Sequence, residues 1–300
     1  MSSPQVNLAA APSIEGAIIK TLTYRDLFDY PLTAEEVHRF LIQQNSSREM
    51  VENTLEKMVI EEGIGEKEGW YFLPGRQKIT QLRREREAIS REKLAKISRY
   101  TRILCVVPWV QAVFVTGAVA VGNAEEKSDL DLLIVTAPER LWLARFFVFL
   151  ILIVLGVKRK RGPGVDRDKV CPNMFFTTKC LALPKSEQNL YTAHEAVQAR
   201  LVWERDLVHQ RFLAENHWIK KFLPNVKLPS KVAEPRVGTG FPPLGWLERV
   251  VYWFQLKYMA KKRTKEIVTP ERILFHAVDL PTAILTAYRQ RLQSVSPTGT

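Results

Sequence analysis

Residues 113–135 read VFVTGAVAVGNAEEKSDLDLLIV, and no other stretch constrains the fold as strongly. Two apolar runs, 113–115 and 130–135, bracket a segment that opens on Gly117 and is long enough for a helical turn or two and a loop. Short apolar runs bounded by turn residues predict buried strands. The second strand begins with Asp129 and Asp131. Side chains at i and i+2 of a strand share a face, so these carboxylates project together, roughly 6–7 Å apart along the strand.

A carboxylate pair so placed suits Mg²⁺, which is usually held by one or two protein carboxylates together with substrate phosphates. The glycine turn at Gly117 and Ala118 then faces the phosphates. Taken alone, Asp-x-Asp reads as a solvated strand start, because Asp is depleted inside strands and common at their ends. The flanking apolar runs are what favour a cation site.

These residues resemble the polymerase β type nucleotidyltransferase superfamily. Its signature is a Gly-Ser turn after a strand, about ten residues, then Asp-x-Asp on the next strand. Gly117, Ala120, Gly122, Ser128, Asp129, Leu130, Asp131 and Leu132 stand in the register GSxAxGxxxxxSDIDL of small stand-alone members. The resemblance implies two Mg²⁺ ions at Asp129 and Asp131, a nucleoside triphosphate substrate and a hydroxyl acceptor. It also implies nucleotide contacts from the Gly117–Ala118 turn and from the stretch ending in Lys127 and Ser128. The chain departs from the family at Ala118, where a serine hydroxyl normally helps hold the triphosphate. Arg99, Arg102 and Lys127 are the nearest cations in sequence that could replace that contact.

The family's third carboxylate stands on a later strand. Here the expected strand, 170–178, contains no acid; Asn173 takes the likeliest place, as a metal ligand through its oxygen, with Asp168 as the fallback. A carboxamide can ligate but does not accept a proton at neutral pH.

The net charge of +12 points to anionic partners, and the cations cluster. Residues 76–102 hold ten Lys or Arg against three Glu, 158–161 read KRKR, and a third group is Lys257, Lys261, Lys262, Arg263 and Lys265. Solvated helix faces are the plain alternative for each. Three cysteines without CxxC spacing exclude a disulfide framework or zinc site and predict a reducing, cytoplasmic setting. The five histidines show no metal-ligand spacing, and the N-terminus shows no secretory pattern.

Residues 141–157, LWLARFFVFLILIVLGV, demand a membrane test. The uninterrupted apolar part falls short of the roughly 20 residues a span needs. A central helix covered on most sides is the expectation, with a short basic-flanked anchor as the alternative.

The fold class expected is α/β: an α+β core with a mixed sheet, flanked by an N-terminal winged-helix-like domain and a C-terminal helical region. The boundaries are a disordered tail at 1–13, the winged-helix-like domain at 14–75, the core at 76–187 and the helical region at 188–300. The first domain rests on an order of three helices and a hairpin, with a capping box at Thr33 and Glu36 and an N-cap at Ser47. DNA reading by its third helix is weakly supported, because residues 46–63 carry Arg48 and Lys57 against five Glu. The phrases DLFDYPLTAEEVHRFL, NLYTAHEAVQ and ILFHAVDLPTAIL together resemble a bacterial group of predicted nucleotidyltransferases, which leaves the acceptor open among small molecule, RNA and protein. The competing expectations are a catalytically degenerate nucleotide-sensing or partner-binding module, and a winged-helix regulator.

Overall fold

In the computed structural model, which describes residues 13–159, 167–230, 232, 244–260, 267–274 and 280–295, side-chain caps start the first helices where the sequence places them. Ser13, Thr33 and Ser47 accept from the backbone N–H three residues on and open α1 (Ile14–Asp26), α2 (Ala34–Arg39) and α3 (Arg48–Ile60). At Thr33 the capping box is complete, Glu36 reaching back to the Thr33 N–H. Strands β1 (Gly65–Lys67) and β2 (Trp70–Phe72) pair antiparallel through Glu68 and Gly69, both at positive φ, the backbone that a two-residue hairpin needs. Leu32 bridges to Tyr71 alongside β2. Ile18, Leu22, Leu32, Val37, Val51 and Leu55 form the core of these elements.

This is one of two compact units, comprising residues 1–80, 220–226 and 288–300. Its buried Asp26 carboxylate is held by Arg76 (Nε–Oδ1 2.6 Å) and Arg291 (Nη2–Oδ2 2.8 Å).

The second unit, residues 81–219 and 227–287, is built on a mixed six-stranded sheet. After α4 (Ile79–Leu104) come β3 (Val110–Val115), the single-turn α5 (Gly117–Ala120), β4 (Leu130–Thr136), α6 (Leu141–Val154) and β5 (Val170–Thr177). Then follow α7 (Leu190–Gln198), β6 (Arg200–Glu204), α8 (Val208–Glu215), α9 (Gly245–Ala260), β7 (Ile267–Val268), β8 (Arg272–Leu274) and α10 (Leu280–Val295). The strand order is β6-β3-β4-β5-β8-β7, with β4 and β5 parallel and the other neighbours antiparallel. Every residue of β3 is buried. One core joins Val113, Val115, Leu132 and Ile134 to Ile97 and Leu104 of α4 and to Trp142, Val148 and Leu152 of α6. Phe114 instead meets Phe212 and His209 of α8.

Two expectations change. The helical region expected from residue 188 contains β6, β7 and β8, which extend the sheet at both edges. Leu201, Val202 and Trp203 are β-favouring residues in a run too short to fix a period, and pairing with β3 decides them. The α6 helix is not covered on most sides: Phe146, Phe147, Leu150, Ile153 and Val154 lie exposed. The inward side of α4 mixes polar and apolar residues, with Arg83, Ser90, Lys93 and Thr101 buried alongside Ile97 and Leu104. Among the described residues no helix is long and apolar enough to cross a membrane. The N-terminal tail, Lys160 and Arg161, most of the proline-bearing stretch 224–243, and the cations at 261–265 lie outside the described residues.

Replacing Asp26 by Ala strands two guanidinium groups beside a buried site and should cost about 2–3 kcal/mol, less than for fully buried partners since both arginines are part-exposed. Urea unfolding should show this, and Arg291→Ala should cost less because Arg76 still pairs with Asp26.

Candidate functional site

β3 and β4 bring the glycine turn onto the acidic strand. Val115 pairs with Leu132, and the Thr116 N–H donates to the Asp131 carbonyl at 3.1 Å, so the chain leaves β3 directly beside Asp131. Gly117 then turns with φ +64°, and a Cβ there would lie 3.3 Å from Asp131 Oδ2. The positive φ favours glycine here, and a Cβ would crowd the Asp131 carboxylate. Ala118 stands exposed at the start of α5, and its carbonyl accepts from the Asn123 N–H at 2.8 Å.

The parallel strand β5 completes this face. Asp131 pairs with Cys171 and Leu132 with Pro172, and then the register slips so that Leu133 pairs with Met174. Pro172 has no N–H to give the ladder, so a bulge is where a central strand can carry it. The extra residue is Asn173, whose Nδ2 donates to Asp131 Oδ1 at 2.8 Å. Asn173 Oδ1 is buried without a hydrogen-bond partner among the described residues. Arg159, held through its N–H to the Val170 carbonyl, brings Nη1 within 2.5 Å of Asp129 Oδ2.

Single ligand atoms of Asp129, Asp131 and Cys171 lie within 4.8 Å of one another. Burial first, and then the charge of Asp129, push the Asp131 carboxyl up to about 7; Glu195 on α7 adds to the effect. Burial and the charges of Asp131 and Asp129 push the Cys171 thiol up to about 12. A thiol is a soft donor and a poor match for a hard cation such as Mg²⁺. The donors left are oxygens of Asp129, Asp131 and Asn173, a hard set that fits Mg²⁺ better than a softer ion.

The loop before Asp129 is fixed from α4. Lys93 spends its three N–H donors on the carbonyls of Glu126 (2.9 Å) and Ser128 (2.7 Å) and on Asp168 Oδ1 (2.8 Å). Ser90 Oγ accepts from the Ala124 N–H, and Arg86 donates to Asn123 and Glu125. Asp168 also accepts from Lys96 at 2.5 Å. Burial raises the Asp168 carboxyl, yet the bonds from Lys93 and Lys96 overcome this and hold it below the ordinary carboxylate range. Asp168 is therefore committed to α4. Ser128 Oγ closes the loop by accepting from the Glu125 N–H at 3.0 Å. Lys127 is exposed and pairs with Glu125, and Arg99 and Arg102 lie exposed on α4 away from its inward stripe.

Sequence reasoning missed Lys93, Arg159, Cys171 and Glu195. Pro172 inside a strand-like run was the available sign of the bulge that places Asn173, whereas nothing local marks Lys93 among ten neighbouring cations. Comparison with protein-family models, with curated proteins and with solved structures finds no match.

Two outcomes follow. Lys93→Met leaves three acceptors unmet and should destabilise the chain by about 3 kcal/mol in chemical unfolding, whereas Arg99→Ala at an exposed position should stay within about 0.5 kcal/mol. Because the Asp131 pKa is raised by folding, the stability it contributes is complete below its unfolded value and lost as pH rises through about 7. In chelator, wild type should therefore lose stability relative to Asp131→Asn over that window, by something on the order of 2–4 kcal/mol. Parallel pH profiles from thermal melts would count against this environment for Asp131.

Proposed function

We propose that this protein is a Mg²⁺-dependent nucleotidyltransferase of the polymerase β type, moving a nucleoside monophosphate from a triphosphate to a hydroxyl. The observation that carries the reading is the Asp129–Asp131 pair beside a glycine turn, with the buried Asn173 carboxamide oxygen lacking a hydrogen-bond partner among the described residues. Asp129, Asp131 and the Asn173 oxygen would hold the metal. When bound, Mg²⁺ neutralises triphosphate charge and lowers the pKa of the acceptor hydroxyl. In the transfer, the acceptor oxygen bonds to the α-phosphorus, the bond to the bridging oxygen breaks, and pyrophosphate leaves.

The chain's own residues position this chemistry. Gly117 permits close backbone approach, and the exposed Ala118 N–H is the donor offered where the family has a serine. Lys93 holds the loop leading into Asp129, so the carboxylates meet the nucleotide already oriented. Asn173 orients the Asp131 carboxylate through its amide. β5 carries no third carboxylate, so the acceptor proton passes to solvent water. The winged-helix-like unit serves partner or acceptor contacts in this reading; its third helix shows Glu49, Glu52 and Glu56 beside Arg48 and Lys57, with Glu61 and Glu62 just past its end, which disfavours DNA.

One observation favours a second reading, a nucleotide-sensing module without turnover. Arg159 lies against Asp129, where its guanidinium neutralises the carboxylate in place of a metal ion.

Incubation of the purified protein with each labelled triphosphate and with small-molecule, RNA and protein acceptors should give Mg²⁺-dependent transfer that Asp129→Ala and Asp131→Ala abolish. Arg159→Ala should tighten Mg²⁺ binding in calorimetry. Triphosphate that binds with Mg²⁺ and is never consumed, by wild type or by Arg159→Ala, establishes the sensing module instead.

A further inference from the structure

We propose that the solvent-facing sides of α6 and α9 seat the protein on an anionic lipid surface. The two helices are joined side by side. Glu248 of α9 accepts from the Trp142 and Leu143 N–H groups at 2.7 and 3.1 Å, capping the start of α6. Gln255 donates to the Trp142 carbonyl at 2.9 Å, and Trp142 meets Tyr252 edge-on. With their shared face occupied in this way, each helix keeps a second apolar stripe in solvent.

On α6 that stripe is Phe146, Phe147, Leu150, Ile153 and Val154, with exposure from 38% at Phe147 to 77% at Val154. On α9 it is Trp246, Val250, Trp253, Phe254 and Tyr258, from 41% to 68% exposed. Both stripes recur at offsets 0, 4, 7 and 8, the spacing of one helix face. Two exposed apolar stripes on neighbouring helices mark an interaction surface, since soluble chains rarely leave large apolar areas open.

Charge selects the partner. The only acid in either helix, Glu248, is buried at the α6 cap, and Arg145 is buried as well. The exposed charges left are Arg249 and Lys257, and Lys257 stands 5.0 Å over the Trp253 ring. A face offering large apolar side chains, tryptophan and tyrosine and only positive charge matches a bilayer interface with anionic headgroups. A second copy fits poorly, because the charges exposed on these two helices, Arg249 and Lys257, are alike and neither helix offers an exposed acid to pair with them. The 14 residues of α6 give roughly 21 Å of helix against about 30 Å of hydrocarbon. The helices therefore lie in the interface plane and do not cross it.

Flotation of the full chain with vesicles tests this. Wild type should float with phosphatidylglycerol-containing vesicles and far less with phosphatidylcholine alone. Arg249→Gln and Lys257→Gln should each weaken anionic-vesicle binding by about fivefold. Phe146→Ser with Ile153→Ser should weaken it by about tenfold or more, as expected for withdrawing two apolar side chains from lipid. Fluorescence of the wild type should be quenched by lipids brominated on the acyl chain, and Trp253→Phe should reduce that quenching; this readout needs no destabilised variant. Failure to float with anionic vesicles overturns the proposal. So does binding untouched by the two serine substitutions, which would be attraction by charge alone, and so does lipid-independent self-association that those substitutions abolish.

Discussion

A buried ammonium group with three protein acceptors is the contact on which the candidate site depends. Lys93 ties α4 to the Glu126 and Ser128 carbonyls, which lead into the acid-bearing start of β4, and to Asp168, which leads into β5. An ammonium removed from water is tolerated when every donor is met. The same requirement makes the arrangement rigid: a shift of the loop would leave a charge unsatisfied in the interior. The long basic helix thus contributes chiefly through one hidden lysine, while its many surface cations remain in solvent.

That lysine also shows why a cationic cluster is a poor guide to contacts. Residues 76–102 hold ten Lys or Arg, and sequence spacing to the acids favoured Arg99, Arg102 and Lys127. The helix period turns Arg99 and Arg102 outward, and it carries Arg83, Arg86 and Lys93 along the inward side with Ser90, Ile97 and Leu104. Apolar residues alone do not mark the buried stripe when salt bridges and carbonyl acceptors await polar ones.

The strand, turn and acidic strand were legible because every cue is local: apolar runs, a glycine at a positive-φ position, and alternation that sets Asp129 and Asp131 together. The helix caps at Thr33 and Ser47 were legible for the same reason. What was not legible depends on partners far along the chain. Leu201, Val202 and Trp203 become a strand only because β3 is there to pair with them. Arg159 reaches Asp129 through the pairing of its own backbone with Val170, and Glu195 influences Asp131 from a separate helix. The composition of residues 141–157 fixed a helix, yet it could not tell which side of that helix finds cover.

Pro172 has a consequence for how the site could ever vary. Strand side chains alternate, so a slip of one residue along β5 would turn Asn173 inward and put Met174 beside Asp131. A residue without an amide hydrogen at the bulge removes one of the alternative ladders such a slip would need. The chemistry offered beside the acids is thus a matter of strand phase, and the proline acts as a pawl that keeps the phase from moving.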